Sequence, residues 1–319
     1  MKQVLVTAPI PAKALAILKD AGLAVDSYSG EGLITKAELL QRIPGKDFLI
    51  TPLSTHVDAE IIDADPQLKL IANYGAGFNN IDVAYARQKG IPVTNTPGVS
   101  TTSTAEVTTG LIISLSHRMM EGDRLMRGAG FSGWSPLFFL GHELAGKTLG
   151  IVGMGQIGQA VAKRMAAFDM RIIYTQRHPL PDDVAAAIPA EFVSLPELIK
   201  SSDVLTLHCP LNDATHHLID AKAFSEMKPG AVLINAARGP VIDEAALLTA
   251  LKNHTISGAA LDVYEAEPKV ADGFKALDNV VLTPHIGNAT VEARDAMANI
   301  VANNAVRVAN DDAPLYVVN

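Results

Sequence analysis

One stretch limits what this chain can fold into more than any other: KTLGIVGMGQIGQAVAKRM, residues 147 to 165. An apolar strand, Leu149 to Val152, runs directly into Gly153, Gly155 and Gly158, and a helix is expected to begin near Gln156. Each glycine has its own reason. Gly153 permits a tight turn. Gly155 lets a pyrophosphate approach the backbone N–H groups at the helix start. Gly158 lets helix and strand pack closely. A bare strand-to-helix turn without a ligand is the alternative, and the strand before and helix after weigh against it.

The rest of the chain repeats this alternation. Val4-Leu5-Val6, Phe48-Leu49-Ile50 and Leu68 to Ala72 read as short buried strands, with helical patterns such as Ala12 to Ala21 between them. That is the pattern of βαβ units and parallel sheets. At 319 residues the chain has room for two domains. A single long helix is expected from Ser100 to Gly128, capped by Ser103 or Thr104. Pro97-Gly98 before it reads as a hinge. A last helix, Ala289 to Ala309, is expected to return to the first domain. We therefore expect one domain from residues 1–97 plus 288–319, and a dinucleotide-binding domain from 98–287.

Composition excludes some partners. The net charge of −8 argues against nucleic acid or an anionic membrane surface. No stretch reaches the roughly 20 apolar residues of a membrane span, and the apolar run in MKQVLVTAPIP is too short for a signal peptide. The single cysteine, Cys209, forms no intrachain disulfide and suits a reducing compartment, so a cytoplasmic location is expected. No Cys/His/carboxylate spacing suggests a metal site, and the adjacent His216 and His217 read as a solvated loop or helix start.

A second strand, Met170 to Tyr174, follows the glycine turn. An acid about 20 residues after that turn would bond the ribose 2′-OH of NAD. The sequence has Thr175, Gln176, Arg177 and His178 there instead. No acid repels a 2′-phosphate, and Arg177 offers a planar fork that suits one. NADP(H) is therefore the preferred cofactor. The alternative is NAD(H), with Gln176 at the ribose and Arg177 in solvent.

Three later stretches carry candidate chemistry. INAARGPVIDEAAL places Arg238 after the strand Ala231 to Ile234. GAALDVYEAEP supplies Asp262 and Glu267. VVLTPHIGNAT supplies His285. Ligands bind at the carboxyl edge of open parallel sheets. Arg238 can hold a substrate carboxylate bidentately. His285 can give a proton to a carbonyl oxygen as hydride reaches the carbon. A carboxylate at Glu267, in contact with His285, would orient the ring and favour its protonated form. Taken singly, each residue has an ordinary structural use as a surface ion pair, a turn or a loop histidine.

Together, the glycine turn, NAARGPVIDEAAL, GAALDVYEAEP and TPHIG resemble the D-isomer-specific 2-hydroxyacid dehydrogenase family over nearly the whole chain. The resemblance implies two doubly wound parallel-sheet domains, a Rossmann cofactor domain inserted in a flavodoxin-like substrate domain. It implies Arg238 as substrate anchor, Glu267 as the histidine's partner and His285 as acid/base. Asp262 corresponds to an aspartate beside the nicotinamide, and Thr104 to a threonine near the cofactor phosphates. HCPLNDAT brings His208, Cys209, Pro210 and Thr215 beside the adenosine, with Asn212 in place of a usual threonine. Further candidate cofactor contacts are Gln156 and Ile157, Ala236 and Ala237, and Gly287.

NYGAGFNNID is similar to the family's glycine loop, whose backbone N–H groups receive the substrate carboxylate. The matching positions are Gly75, Ala76 and Gly77, with Asn79 where an aspartate is common. Leu53 and Ser54 match positions lining the substrate pocket. YTQRHPLP and WSPLFFLGHELAGKTLGIVG resemble the glyoxylate/hydroxypyruvate reductases in particular, with Phe138 where a second tryptophan is frequent; Phe138 and Phe139 also suit a core. The resemblance further implies a homodimer through the cofactor domain, residues 100–141 contributing.

The expected activity is NADP(H)-dependent reduction of small 2-oxo acids such as glyoxylate or hydroxypyruvate to D-2-hydroxy acids. An NAD-dependent dehydrogenase for bulkier acids (lactate, phenyllactate, hydroxyisocaproate) is the rival enzyme. D-3-phosphoglycerate dehydrogenase fits less well, and Glu267 stands where formate dehydrogenases use an amide. A nucleotide-sensing protein of the co-repressor type is the rival from another class.

Overall fold

The computed structural model describes all 319 residues. They form two compact units: Met1–Ser100 with Ala289–Asn319, and Thr101–Asn288.

The first unit is a five-stranded parallel sheet made of β1 (Gln3–Val6), β2 (Ala24–Ser27), β3 (Phe48–Pro52), β4 (Leu70–Tyr74) and β5 (Val93–Thr94). Their order is β2-β1-β3-β4-β5, the flavodoxin-like order. The strands read as continuous apolar runs because both sheet faces are covered. Val4, Val6, Ile50 and Leu70 pack on one side with Met297, Ala298 and Val301 of the helix Val291–Ala309. Leu5, Leu49 and Ile71 point to the other, against Leu39, Ile61 and Ala86. Thr290 caps the last helix by accepting from Ala293 N at 3.2 Å.

The second unit is a seven-stranded parallel sheet. Its strands are β6 (Thr148–Val152), β7 (Arg171–Thr175), β8 (Ala190–Phe192), β9 (Val204–Leu207), β10 (Val232–Asn235), β11 (Gly258–Leu261) and β12 (Val280–Leu282). The order β12-β11-β10-β9-β6-β7-β8 runs outward in both directions from β6, as in a Rossmann sheet. The reversal between β6 and β9 is where such sheets bind ligands. Here too both faces are buried. Leu205, Leu207, Leu233 and Leu261 lie in one core, and Leu149, Ile151, Ile172 and Ile234 in the other. Truncating one of these fully buried leucines to alanine would cost about 2–5 kcal/mol.

Two expectations need correction. The long helix is broken into Thr101–Ser116 and Met119–Arg127. Between them Arg118 adopts a left-handed conformation (φ 55°). Its guanidinium makes a fork on the Glu121 carboxylate (2.8 and 2.5 Å), donates to the Leu140 carbonyl (3.3 Å) and lies 4.2 Å from the Phe139 ring centre. These contacts come from later in the chain and outweigh the helical pattern. Neither Ser103 nor Thr104 is the cap, because the helix begins at Thr101 and both sit within its first turn. The Thr104 hydroxyl donates instead to the Gly287 carbonyl (3.0 Å).

Candidate active site

The glycine turn forms between β6 and the helix Gln156–Ala166, with Gly155 at the cap position. Gly153 has φ 94°, and a Cβ there would stand 2.7 Å from the His208 carbonyl. At Gly158 a Cβ would strike the Gly153 carbonyl. Protein packing therefore demands glycine at both. Gly155 differs: a Cβ there would meet nothing within 4 Å. Its missing side chain leaves open space above the first N–H groups of the helix, which include those of Gln156 and Ile157 and have no partner within the helix. A phosphate-bearing nucleotide fits that opening.

At the end of β7, Thr175 and Gln176 are partly buried, while Arg177 and His178 are exposed. The Gln176 side-chain oxygen accepts from Met154 N (3.1 Å), which ties β7's end to the glycine turn. Arg177 has no ion-pair partner. At the end of β9, His208 shares a hydrogen bond with Thr206 Oγ1 (3.0 Å), while its Nδ1 is shielded from solvent and unpaired. Burial pushes its pKa down to about 4 and that of the Cys209 thiol up to about 11. Both are neutral at physiological pH. The Thr215 hydroxyl donates to the Pro210 carbonyl (2.6 Å), closing the loop that follows.

Arg238 lies just past the end of β10, after Ala236 and Ala237. Asn235 shapes this turn: its amide donates to the Arg238 carbonyl (2.9 Å) and its oxygen accepts from Ala237 N (3.0 Å). The Arg238 guanidinium donates to the Ala237 carbonyl (2.6 Å) and has no carboxylate within ion-pair distance. Burial lowers its pKa, while the nearby Glu267 charge acts in the opposite direction. A half-buried cation without a counter-ion suits an anionic ligand.

Glu267 and His285 meet directly: His285 Nδ1 lies 2.9 Å from Glu267 Oε2. Burial pushes the Glu267 carboxyl up, but the His285 bond and charge, the Tyr264 N–H and Arg238 outweigh it and hold the carboxyl below its usual value. The side chains stay 30% and 36% exposed, so the pair is open to a ligand. With Nδ1 engaged, Nε2 is the nitrogen left to meet a substrate.

His285 itself is left-handed (φ 55°), which costs a non-glycine residue free energy and must be held. Asp262, 1% exposed at the end of β11, does this. It accepts from the Thr283 hydroxyl (2.6 Å), Ile286 N (2.8 Å) and Gly287 N (2.8 Å). Tyr264 braces both partners. Its N–H donates to Glu267 Oε1 (3.0 Å) and its hydroxyl lies 2.8 Å from the Thr283 carbonyl. Sequence reasoning missed Thr283 and Tyr264, whose roles arise from long-range contacts with no local signature.

In the first unit, residues 75–78 follow β4. Leu53 and Ser54 lie in the turn closed by Thr55 N on the Pro52 carbonyl (3.1 Å). A Cβ at Gly75 would stand 3.3 Å from Leu53 Cγ. Asn73, Asn80 and Asn95, which the motif reading passed over, hold these loops with their side-chain amides.

Residues 109–287 match the sequence profile of the D-isomer specific 2-hydroxyacid dehydrogenase NAD binding domain. A Staphylococcus saprophyticus protein whose name places it among the 2-hydroxyacid dehydrogenases is 52% identical over 319 residues, 100% of each chain. The chain belongs to the D-isomer specific 2-hydroxyacid dehydrogenase family.

Members of known structure are similar throughout. A glyoxylate reductase from Paecilomyes thermophila is 33% identical, with 99% of this chain and 98% of that one covered at a TM-score of 0.88. The NADPH-dependent glyoxylate/hydroxypyruvate reductase of Sinorhizobium meliloti, solved with NADP and malonate, is 31% identical, with 99% and 96% covered at a TM-score of 0.84. As a 2-hydroxyacid dehydrogenase the chain is an oxidoreductase with a nicotinamide-nucleotide-binding domain. Its residues expected to do the chemistry all follow the carboxyl ends of β10, β11 and β12. A cavity of about 570 Å³ lies at the opposite, amino-terminal edge, among Lys147, Asp203, Gly230, Ser257 and Asn279. Those residues precede or begin the strands, so this cavity is not the reaction site of the 2-hydroxyacid dehydrogenase.

Proposed function

We propose that this 2-hydroxyacid dehydrogenase reduces small 2-oxo acids of the glyoxylate/hydroxypyruvate type to 2-hydroxy acids, of D configuration where chirality exists, with NADPH as the preferred cofactor. The observation that carries the cofactor preference is the end of β7: no acid at residues 175–178, and an exposed, unpaired Arg177. The similarity to a reductase solved with NADP supports the same reading.

The nucleotide would lie along the glycine turn, with Gly153, Gly155, Gln156, Ile157 and Gly158 at its phosphates and Thr175, Gln176 and Arg177 at its adenosine ribose. Thr104, His208 to Pro210, Thr215, Ala236, Ala237, Asp262 and Gly287 complete its contacts. The reduced nicotinamide supplies hydride when bound. The chain's own groups do the rest. In the second unit Arg238 holds the substrate carboxylate; in the first, Gly75, Ala76, Gly77, Leu53 and Ser54 are the proposed substrate-binding positions. His285 gives its proton to the carbonyl oxygen as the carbon is reduced. Glu267 holds the imidazole in orientation through Nδ1.

The test is Arg177→Asp, with kcat/KM measured for NADPH and NADH. The ratio should move toward NADH by at least tenfold. An unchanged ratio would remove Arg177 from the 2′-phosphate site.

The proposal includes a homodimer in the cytoplasm. Trp134 (82% exposed), Leu137, Phe138 and Leu140 leave an apolar surface on residues 128–141 that a second copy would cover. A sedimentation mass of one chain at micromolar concentration would refute it.

A further inference from the structure

We infer that Glu244, acting with His217 through Glu265, is the positioning residue that holds the loop after β11 so that Glu267 meets His285. The inference rests on the proposed reduction and adds to its site groups outside the set assigned above.

Glu267 is reached from β11 through a short loop that begins at Asp262. Its carboxylate is oriented within that loop: the Tyr264 N–H donates to Oε1 (3.0 Å), leaving Oε2 for His285 (2.9 Å). The next N–H, that of Glu265, points out of the loop and donates to Glu244 Oε1 (2.9 Å). Glu244 returns the bond, its own N–H donating to Glu265 Oε1 (3.2 Å). His217 Nε2 lies 2.9 Å from that same oxygen. The His217 N–H donates to the Pro240 carbonyl (2.8 Å), so this support is itself tied to the turn after Arg238. Gly239 packs so closely against the loop that a Cβ there would strike the Tyr264 carbonyl. The peptide joining Tyr264 and Glu265 is therefore gripped from three places in the chain: His217, Gly239 and Glu244.

Helix capping does not explain this exchange. The helix Glu244–Lys252 already has its cap, because Asp243 accepts from Ala246 N (3.0 Å). Three carboxylates gather here, and the arrangement has a cost. Burial first, then the Glu265 and Glu267 charges, hold the Glu244 carboxyl above its usual value, against the pull of the Glu265 N–H. A neutral hydroxyl or amide would cap a helix without that repulsion. The carboxylate supplies instead the reach to the loop and a charge-assisted bond on the Glu265 N–H. Tyr264 and Glu265 are successive residues, so a shift of the Glu265 peptide moves the Tyr264 N–H and with it the carboxylate that orients His285. Arg238 precedes Gly239, whose contact with the loop does not involve Glu244. Removing the Glu244 side chain should therefore disturb Glu267 and leave Arg238 in place.

The experiment uses full-length Glu244→Ala and Glu244→Gln, together with Glu267→Ala and the double variant Glu244→Ala/Glu267→Ala. Glyoxylate reduction by NADPH gives kcat and KM, and fluorescence gives NADPH affinity. Glu244→Ala should lower kcat about tenfold or more, as misplacement of a catalytic group does. KM and NADPH affinity should change less than about threefold, because their contacts are separate and independent sites do not couple. Glu244→Gln keeps an oxygen for the Glu265 N–H and should stay within about threefold of the wild-type kcat. On the Glu267→Ala background, Glu244→Ala should cost less than about twofold more, since one residue acts through the other. If Glu244→Ala does not fold, His217→Ala carries the same test, with about a threefold loss of kcat expected because Glu265 keeps its bond to Glu244. Wild-type kcat in the alanine variant would overturn the inference. So would a joint loss of kcat, KM and NADPH affinity, a glutamine variant as impaired as the alanine one, or a full additional loss on the Glu267→Ala background. A wild type inactive on every 2-oxo acid would instead sink the proposed function, and this inference with it.

Discussion

Asp262→Asn tests how His285, the proposed acid/base, is held. The carboxylate is buried and accepts three bonds: two at Oδ1, from the Thr283 hydroxyl and Ile286 N, and one at Oδ2, from Gly287 N. Asparagine has nearly the same shape, but only one of its two terminal atoms accepts. Keeping the oxygen on Thr283 and Ile286 leaves an amide NH2 facing the Gly287 N–H. That group then loses its acceptor in a buried setting, which costs about 1–3 kcal/mol. The rotated amide would orphan the Ile286 N–H instead, at a similar cost. Either way the left-handed backbone at His285 loses part of its support. We expect urea unfolding to show a loss of about 1–3 kcal/mol. Steady-state assays should show kcat reduced about tenfold or more, as misplacement of a catalytic group does. A variant within 0.5 kcal/mol of wild type, roughly the level of a neutral surface change, and with full kcat would refute the reasoning.

Other outcomes follow from the same geometry. Gly158→Ala should cost about 1–3 kcal/mol of stability, because its Cβ meets the Gly153 carbonyl. Gly155→Ala should cost about 1 kcal/mol or less, yet weaken NADPH binding, because its Cβ enters open space meant for ligand; calorimetry of both variants checks the contrast. His208 sets a pH dependence. Its imidazole titrates near 6.5 when unfolded and at about 4 when folded. Between those values the unfolded chain binds more protons, so stability falls as pH falls through that window and levels off below it. Although the residue keeps some exposure, its Nδ1 is shielded, so burial governs the shift. From pH 7.5 to 5.0 the wild type should lose about 2 kcal/mol more than His208→Gln, read by urea unfolding at each pH.

Much of this was legible in the sequence, for reasons that differ by residue. Gly153 and Gly158 announce themselves because backbone turns of that tightness admit no side chain, and the strand and helix beside them are local. The residues after β10, β11 and β12 were legible because buried parallel strands read as apolar runs that stop at the sheet edge. What was hidden depends on distant partners. Nothing near Arg118 tells that Leu140 and Phe139 will draw it out of a helix. Thr104 looks like a cap until Gly287 is folded against it. The left-handed His285 requires Asp262, 23 positions earlier. Asn73 and Asn95 look like ordinary polar residues until the loop folds back and places carbonyls against their amides.

The most direct test of the central claim is kcat/KM of the wild type for NADPH and NADH, with hydroxypyruvate, glyoxylate and phenylpyruvate as substrates. We predict a strong NADPH preference and faster turnover of the two small acids. Preference for NADH with phenylpyruvate would contradict the account, leaving Gln176 at a free ribose hydroxyl and the pocket open to bulkier acids.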